Sequence, residues 1–283
     1  MAQPDVRAAA DLRRFLEEDL GRGDVTSRAI VPETARASGV FLAKSGTVVC
    51  GLDLAGMLLR ILDADVAWEE SVAEGQPVVP GRALASAAGN ARALLAGERV
   101  ALNLLQRMCG IAWSTRRYVD AVAGTSCRIL DTRKTAPGLR CFDKRAVAAG
   151  GGKNHRFGLD DGVLIKDNHL RIAGGVRRAI ESARAAAPAT LKIEVEVESE
   201  PELRAAVEGG ADIVLIDNQP PETLARWVRL AGELAPGVCL EASGGITLSN
   251  VRAYAETGVD FVSVGALTHS VAAADISLEI EPA

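Results

Sequence analysis

Cationic side chains stand at the ends of apolar segments in three places. Arg133 and Lys134 lie in DTRKTAPG (131–138), His155 and Arg156 in GGGKNHRFG (150–158), and Lys166 in GVLIKDNH (162–169). Packing gives little reason for a cation where a strand runs into a glycine turn, whereas a shared anionic ligand does. Arginine presents a planar fork suited to a carboxylate, and lysine a mobile point charge suited to phosphate. A solvated loop could hold the same residues, so the matching acids matter. Glu194, Glu196, Glu198 and Asp217 follow on further strand-like runs, which suggests one site assembled from many strand ends.

The segment 191–198, LKIEVEVE, alternates throughout. Strand geometry sends Ile193, Val195 and Val197 to one side and the three glutamates to the other. An isolated segment of this kind reads as a half-solvated edge strand. Here helical stretches flank it, so its apolar side can pack on helices while its acids face an interior. At about 4 Å and an effective dielectric near ~20, each like-charge pair would cost roughly 4 kcal/mol before desolvation. The stripe is therefore tolerable only beside cations, a metal or solvent. Glu196 and Asp217, on neighbouring strand ends, would suit Mg²⁺ as oxygen ligands; the alternative is that Asp217 or Asn218 caps the helix after Pro220-Pro221. Three histidines (His155, His169, His269) match no zinc-protease spacing. The glycine segments EASGGI (241–246) and SVGAL (263–267) place amides where they could cradle a phosphate.

The elements that must position these groups change character near residue 125. Residues 6–20 read as an amphipathic helix with Val6, Ala9, Leu12, Leu16 and Leu20 near one face. From 39 to 88 short apolar runs punctuated by Gly and Pro suggest an antiparallel or mixed sheet, with Leu58, Leu59 and Ile61 in a helix between strands. Residues 91–122 are strongly helical in propensity, with Gly97 and Gly110 as candidate divisions into two or three helices. Beyond 125, strand candidates at 127–131, 162–165, 191–197, 212–217, 238–243 and 260–265 alternate with helical stretches at 175–187, 200–208, 221–232 and 248–257. That is the βαβ spacing of a parallel sheet. An α/β barrel gathers its chemistry from the C-terminal ends of several strands. An open doubly wound sheet is the alternative, but no GxGxxG opens the first βα turn.

The chain has 283 residues, 48% of them hydrophobic and only 4% aromatic, with a net charge of −5. Few stacking platforms and an acidic balance argue against a nucleic-acid partner, so the local cations serve something small. Five cysteines form no CxxC pair, which fits reduced thiols and a cytoplasmic location. No apolar signal core and no uninterrupted 18-residue apolar run suggest export or a membrane span.

The motifs EDLGRGDVTS (18–27), GERVALNLLQRMCGIA (97–112), DTRKTAPGLR (131–140), GGGKNHRFGLDDGVLIKDNH (150–169), IEVEVE (193–198), DIVLIDN (212–218), LEASGGI (240–246) and GVDFVSVGALTHS (258–270) together strongly resemble the quinolinate phosphoribosyltransferase family. The resemblance runs over nearly the whole chain. It implies an N-terminal α/β sandwich domain (1–113, joined by 271–283), an incomplete α/β barrel of parallel strands (114–270) and a homodimer. By the same resemblance Arg133, His155 and Arg156, with Arg99 from the neighbouring subunit, clamp quinolinate. Lys134 and Lys166 contact that substrate and phosphoribosyl pyrophosphate. Glu196 and Asp217 act with Mg²⁺ on the ribose and pyrophosphate, and Ser243, Gly244 and Gly265 cradle the 5′-phosphate. Trp113, after GIA, and Arg145, in DKRAV, depart from the family's usual residues without touching any of these positions.

Overall fold

The computed structural model describes residues 6–283, with side chains from Ala8 onward. The chain divides into two compact units, Met1–Ser114 with Val271–Ala283, and Thr115–Ser270.

The first unit is an α/β sandwich. Its antiparallel sheet runs in the order Ile276–Pro282, Arg36–Ala43, Ala83–Asn90, Ala67–Glu70, so the C-terminal segment supplies an edge strand. Helix Val6–Leu20 buries Ala8, Leu12 and Leu16 and packs against helix Leu52–Leu62; the side chain of Val6 lies outside the described residues. Strand Ala83–Asn90 has no strand signature in sequence. Its ALASAAGN composition is poor in β-branched residues, and it forms because it lies between two partner strands.

The expected breaks at Gly97 and Gly110 are absent: Ala91–Ala121 is one continuous 31-residue helix. Both glycines serve close approach instead. A Cβ on Gly97 would lie 2.7 Å from Leu59 Cδ2, and one on Gly110 would fall on the Ala272 carbonyl oxygen. A glycine inside a helix costs about 1 kcal/mol, which a backbone contact of this kind offsets.

The second unit is a six-stranded parallel sheet in the order Arg128–Leu130, Phe261–Ser263, Cys239–Ser243, Ile213–Asp217, Ile193–Val197, Val163–Ile165. It forms an incomplete α/β barrel. Ile193, Val195 and Val197 are buried, as are Val214, Ile216, Leu240, Ala242 and Val262 on neighbouring strands. Helices Val176–Ala186, Glu200–Glu208 and Pro221–Leu234 contribute Ile180, Leu203, Leu224 and Trp227 to this core. Full burial of each such side chain is worth roughly 1.5–3 kcal/mol. Helix Glu200–Glu208 is started by a capping box between Ser199 and Glu202. The sheet's two outer strands, Arg128–Leu130 and Val163–Ile165, do not pair with each other. Part of the basic segment 150–158 runs beside the first of them: Lys153 N–H donates to Ile129 O at 2.8 Å, and Asp131 N–H to Lys153 O at 3.2 Å.

Among the described residues no helix is long and apolar enough to cross a membrane. Gly110→Ala should lower stability by about 1–3 kcal/mol although alanine favours helix, because its methyl group meets backbone. The midpoint of denaturant unfolding measures this.

Candidate functional site at the C-terminal ends of the barrel strands

Strand alternation decides which side chains enter the barrel. From Ile193–Val197 the inward positions are Glu194 and Glu196, from Ile213–Asp217 Leu215 and Asp217, and from Cys239–Ser243 Glu241 and Ser243. The C-terminal ends open into a cavity of about 320 Å³. Arg133, Lys134, His155, Arg156, Lys166, Glu196, Asp217 and Ser243 all line it. Eight of the eleven site residues expected from sequence thus converge there. Gly244 directly follows Ser243, and a Cβ on Gly265 would lie 3.0 Å from Lys134 Cδ, which sets that glycine at the cavity's edge. Arg99 is exposed on the long helix, in its part that belongs to the first unit.

Glu196 Oε2 pairs with Lys166 Nζ at 2.8 Å, with the lysine side chain 46% exposed and the glutamate 13%. The pair is open at its lysine end, so it can separate when an anion competes for the ammonium. Asp217 Oδ2 accepts from Asn218 Nδ2 at 2.6 Å. Neither residue caps the following helix, whose N-cap is Pro220 without a side-chain bond, so capping does not account for Asp217. Asn218 adopts φ 52° and Gly244 φ 92°. A side chain at Gly244 would collide with Asn218, so glycine is required where these two strand ends approach. The helix expected at 248–257 is only Val251–Ala255, because Asn250 Oδ1 holds Thr247 N–H in a preceding turn at 2.7 Å. Amides near Gly244 therefore belong to a glycine turn and not to a helix start.

One layer deeper, His155 Nε2 meets Glu194 Oε2 at 2.9 Å and Glu241 Oε2 at 3.8 Å. Burial alone would lower the His155 pKa, but the Glu194 hydrogen bond and the charges of Glu194 and Glu241 outweigh it and hold it above the ordinary value. His155 Nδ1 accepts the Arg156 N–H at 2.7 Å, a contact that favours the neutral ring. Both ring nitrogens are thus engaged within the chain. Burial and the nearby Glu194 charge push Glu241 up to about 8, so at neutral pH a proton resides in this acidic pair. Glu194 Oε1 and Glu241 Oε1 are buried without a hydrogen-bond partner. One nitrogen and two carboxylate oxygens lie within 4.8 Å of one another, a set that could hold a metal ion. Burial, with the neighbouring Arg133 charge, lowers the Arg156 pKa. Two guanidiniums held this close are relieved by an anion.

Glu194 enters as alternation implies, whereas Glu198 ends exposed, one residue beyond the strand. Glu241, Thr132, Ser263 and the buried Asp131 and Lys144 are the residues that motif reading left unassigned. Glu241 had a usable signal, since it stands two positions before Ser243 on the same strand face. The Asp131–Lys144 pairing spans 13 residues and had none.

Glu241 makes stability depend on pH. Its carboxyl group has an ordinary pKa of 4.5 and a folded value of about 8. The folded chain therefore keeps a proton that the unfolded chain has released, and this contribution is full below pH 4.5 and lost as pH rises through about 8. Stability should fall across that window with a slope approaching about 1.4 kcal/mol per pH unit. Glu241→Gln should show a shallower decline in unfolding midpoints measured from pH 5 to 9.

Two family models cover most of the chain: the quinolinate phosphoribosyl transferase N-terminal domain over residues 24–109 and its C-terminal domain over 111–279. A probable nicotinate-nucleotide pyrophosphorylase [carboxylating] of Bacillus subtilis is 44% identical over 269 residues, covering 95% of this chain and 92% of that protein. The nicotinate-nucleotide pyrophosphorylase [carboxylating] of Mycobacterium leprae is 44% identical over 279 residues, covering 96% and 97%. Among solved structures, NadC from Streptococcus pyogenes superposes with a TM-score of 0.94 at 35% identity, covering 100% of this chain and 99% of that one. With its two units, its incomplete barrel and its cation-lined strand ends, the chain belongs to the quinolinate phosphoribosyltransferase family.

Proposed function

We propose that the chain transfers the 5-phosphoribosyl group of phosphoribosyl pyrophosphate to the ring nitrogen of quinolinate, with decarboxylation. The products are nicotinate mononucleotide, pyrophosphate and CO₂, a step of de novo NAD biosynthesis. The observation that carries this reading is the convergence of two arginines, two lysines and three acids on one 320 Å³ cavity in a chain of this family.

In this reading the unit Thr115–Ser270 is the catalytic domain, and the α/β sandwich domain contributes Arg99 to the site of the other subunit in a homodimer. Arg133 and Arg156 grip the two carboxylates of quinolinate and aim its ring nitrogen at C1 of the ribose. His155 supports them from below, and a substrate carboxylate reaches its ring by replacing the Glu194 contact at Nε2. Lys134 and Lys166 offset the charge of the substrates, Lys166 by exchanging Glu196 for an anion. Glu196 and Asp217 favour the positive charge that develops on the ribose as the C1–pyrophosphate bond breaks. Ser243, Gly244 and Gly265 receive the 5′-phosphate. Once the ring nitrogen is bonded to C1, its positive charge stabilises the electron pair left on the ring carbon when the bond to the 2-carboxylate breaks, and that carbon takes up a proton to complete the product.

Glu196 and Asp217 also fit Mg²⁺. Each uses one carboxylate oxygen in the bonds to Lys166 and Asn218, leaving the other free for a hard cation. Mg²⁺ favours one or two carboxylates completed by water and substrate phosphate. The enclosed His155–Glu194–Glu241 set, with a nitrogen donor, fits it less well. Held at Glu196 and Asp217, the ion would neutralise charge on the pyrophosphate. Free cysteines fit a reducing, cytoplasmic setting.

Incubation with quinolinate or nicotinate, each with phosphoribosyl pyrophosphate and Mg²⁺, tests the reading. Nicotinate mononucleotide should form from quinolinate, and its absence at high enzyme concentration overturns the proposal. Removal of divalent ions with a chelator should abolish turnover, and added Mg²⁺ should restore it. Arg133→Ala should raise the quinolinate KM by about thirtyfold or more, the cost of leaving a buried charge unpaired. The KM for phosphoribosyl pyrophosphate should change far less.

A further inference from the structure

We propose that Asp131 and Lys144, buried behind the residues that line the cavity, are positioning residues that preassemble the quinolinate clamp by locking the basic segment 153–156 against the first barrel strand. The inference rests on the clamp reading of Arg133 and Arg156 given above.

Both side chains are fully buried. Lys144 projects from helix Arg140–Ala149 and donates to Asp131 Oδ1 at 2.5 Å and to His155 O at 2.8 Å. The same Asp131 oxygen accepts the His155 N–H at 2.8 Å. Asp131 Oδ2 accepts from Asn154 Nδ2 at 2.6 Å, and that amide also donates to Lys144 O at 2.9 Å. One carboxylate and one ammonium therefore hold both the N–H and the C=O of His155, the residue before Arg156. Burial lowers the Lys144 pKa, and the Asp131 contact acts against it; the pair is kept although desolvating it is expensive.

The place of this pair in the fold gives it a task. Asp131 follows strand Arg128–Leu130 directly and precedes Arg133 by two residues. The seam segment beside that strand has only the Lys153 backbone contacts to hold it in ladder fashion, so His155 and Arg156 beyond it depend on side chains for their position. Arg140, at the start of the same helix, ties the other half: it donates to Arg133 O at 3.4 Å, to Thr135 Oγ1 at 3.0 Å and to Phe157 O at 2.9 Å. The two guanidiniums that would bracket a dicarboxylate are thus set at a fixed separation by groups that never meet it. Binding sites lose affinity steeply when such support loosens.

The test compares Lys144→Met, Asp131→Asn, Asn154→Ala and Arg156→Ala in the full chain. Thermal melting and circular dichroism establish folding, and KM is measured separately for quinolinate and phosphoribosyl pyrophosphate. Lys144→Met strands a buried carboxylate, so Asn154→Ala, which keeps the ion pair and alters an exposed residue, decides the matter if the former does not fold. The expected result is a quinolinate KM raised about tenfold with the phosphoribosyl pyrophosphate KM within about twofold. A merely structural role would lower the active fraction and leave both KM values alone. Equal changes in both KM values, or none in any folded network variant, while Arg156→Ala raises the quinolinate KM, would overturn the positioning role. An unchanged quinolinate KM in Arg156→Ala would instead overturn the clamp, and the positioning role with it.

Discussion

Six parallel strands do not close on themselves here, and the seam they leave is the constraint on which the C-terminal end of the barrel depends. Backbone groups at such an edge need partners. The seam segment provides some through Lys153, and the buried pair of Asp131 and Lys144 secures the residues that follow. A continuous strand would have carried His155 and Arg156 on alternate faces. A short bridged stretch held by side chains lets both of them line the cavity.

Charge is the second organising force. The barrel interior contains Glu194 and Glu241, buried and close enough to repel if both were ionised. His155 and one retained proton make that arrangement tolerable, in keeping with the rule that buried charge is either paired or neutralised. Toward solvent, the charges alternate in sign and become exchangeable, as in the half-open Lys166–Glu196 pair. A closed, neutralised layer thus underlies an open layer that can trade internal partners for ligands.

Much of this was legible in the residues because it is local. Alternation over 193–197 depends only on the two-residue period of a strand, and each of the six strands of the second unit falls within one of the segments 127–131, 162–165, 191–197, 212–217, 238–243 and 260–265 that the sequence marks as strand-like. The long helix shows the limit of such reasoning. Gly97 and Gly110 look like breaks until Leu59 and the Ala272 carbonyl are seen against them. Strand Ala83–Asn90 shows the same limit, since its pairing partners and not its composition make it a strand.

Residue types and their spacing were enough to declare a small, highly anionic ligand, strand-end cations and acids, and the ordered motifs of the family. Those properties travel with short stretches of chain, where periodicity and side-chain chemistry act directly. Which glutamate stays outside, which partner each ring nitrogen of His155 meets, and which distant lysine answers Asp131 depended on the folded chain. Each is a contact between segments that the sequence separates, and its strength comes from burial, which exists only once the barrel has formed.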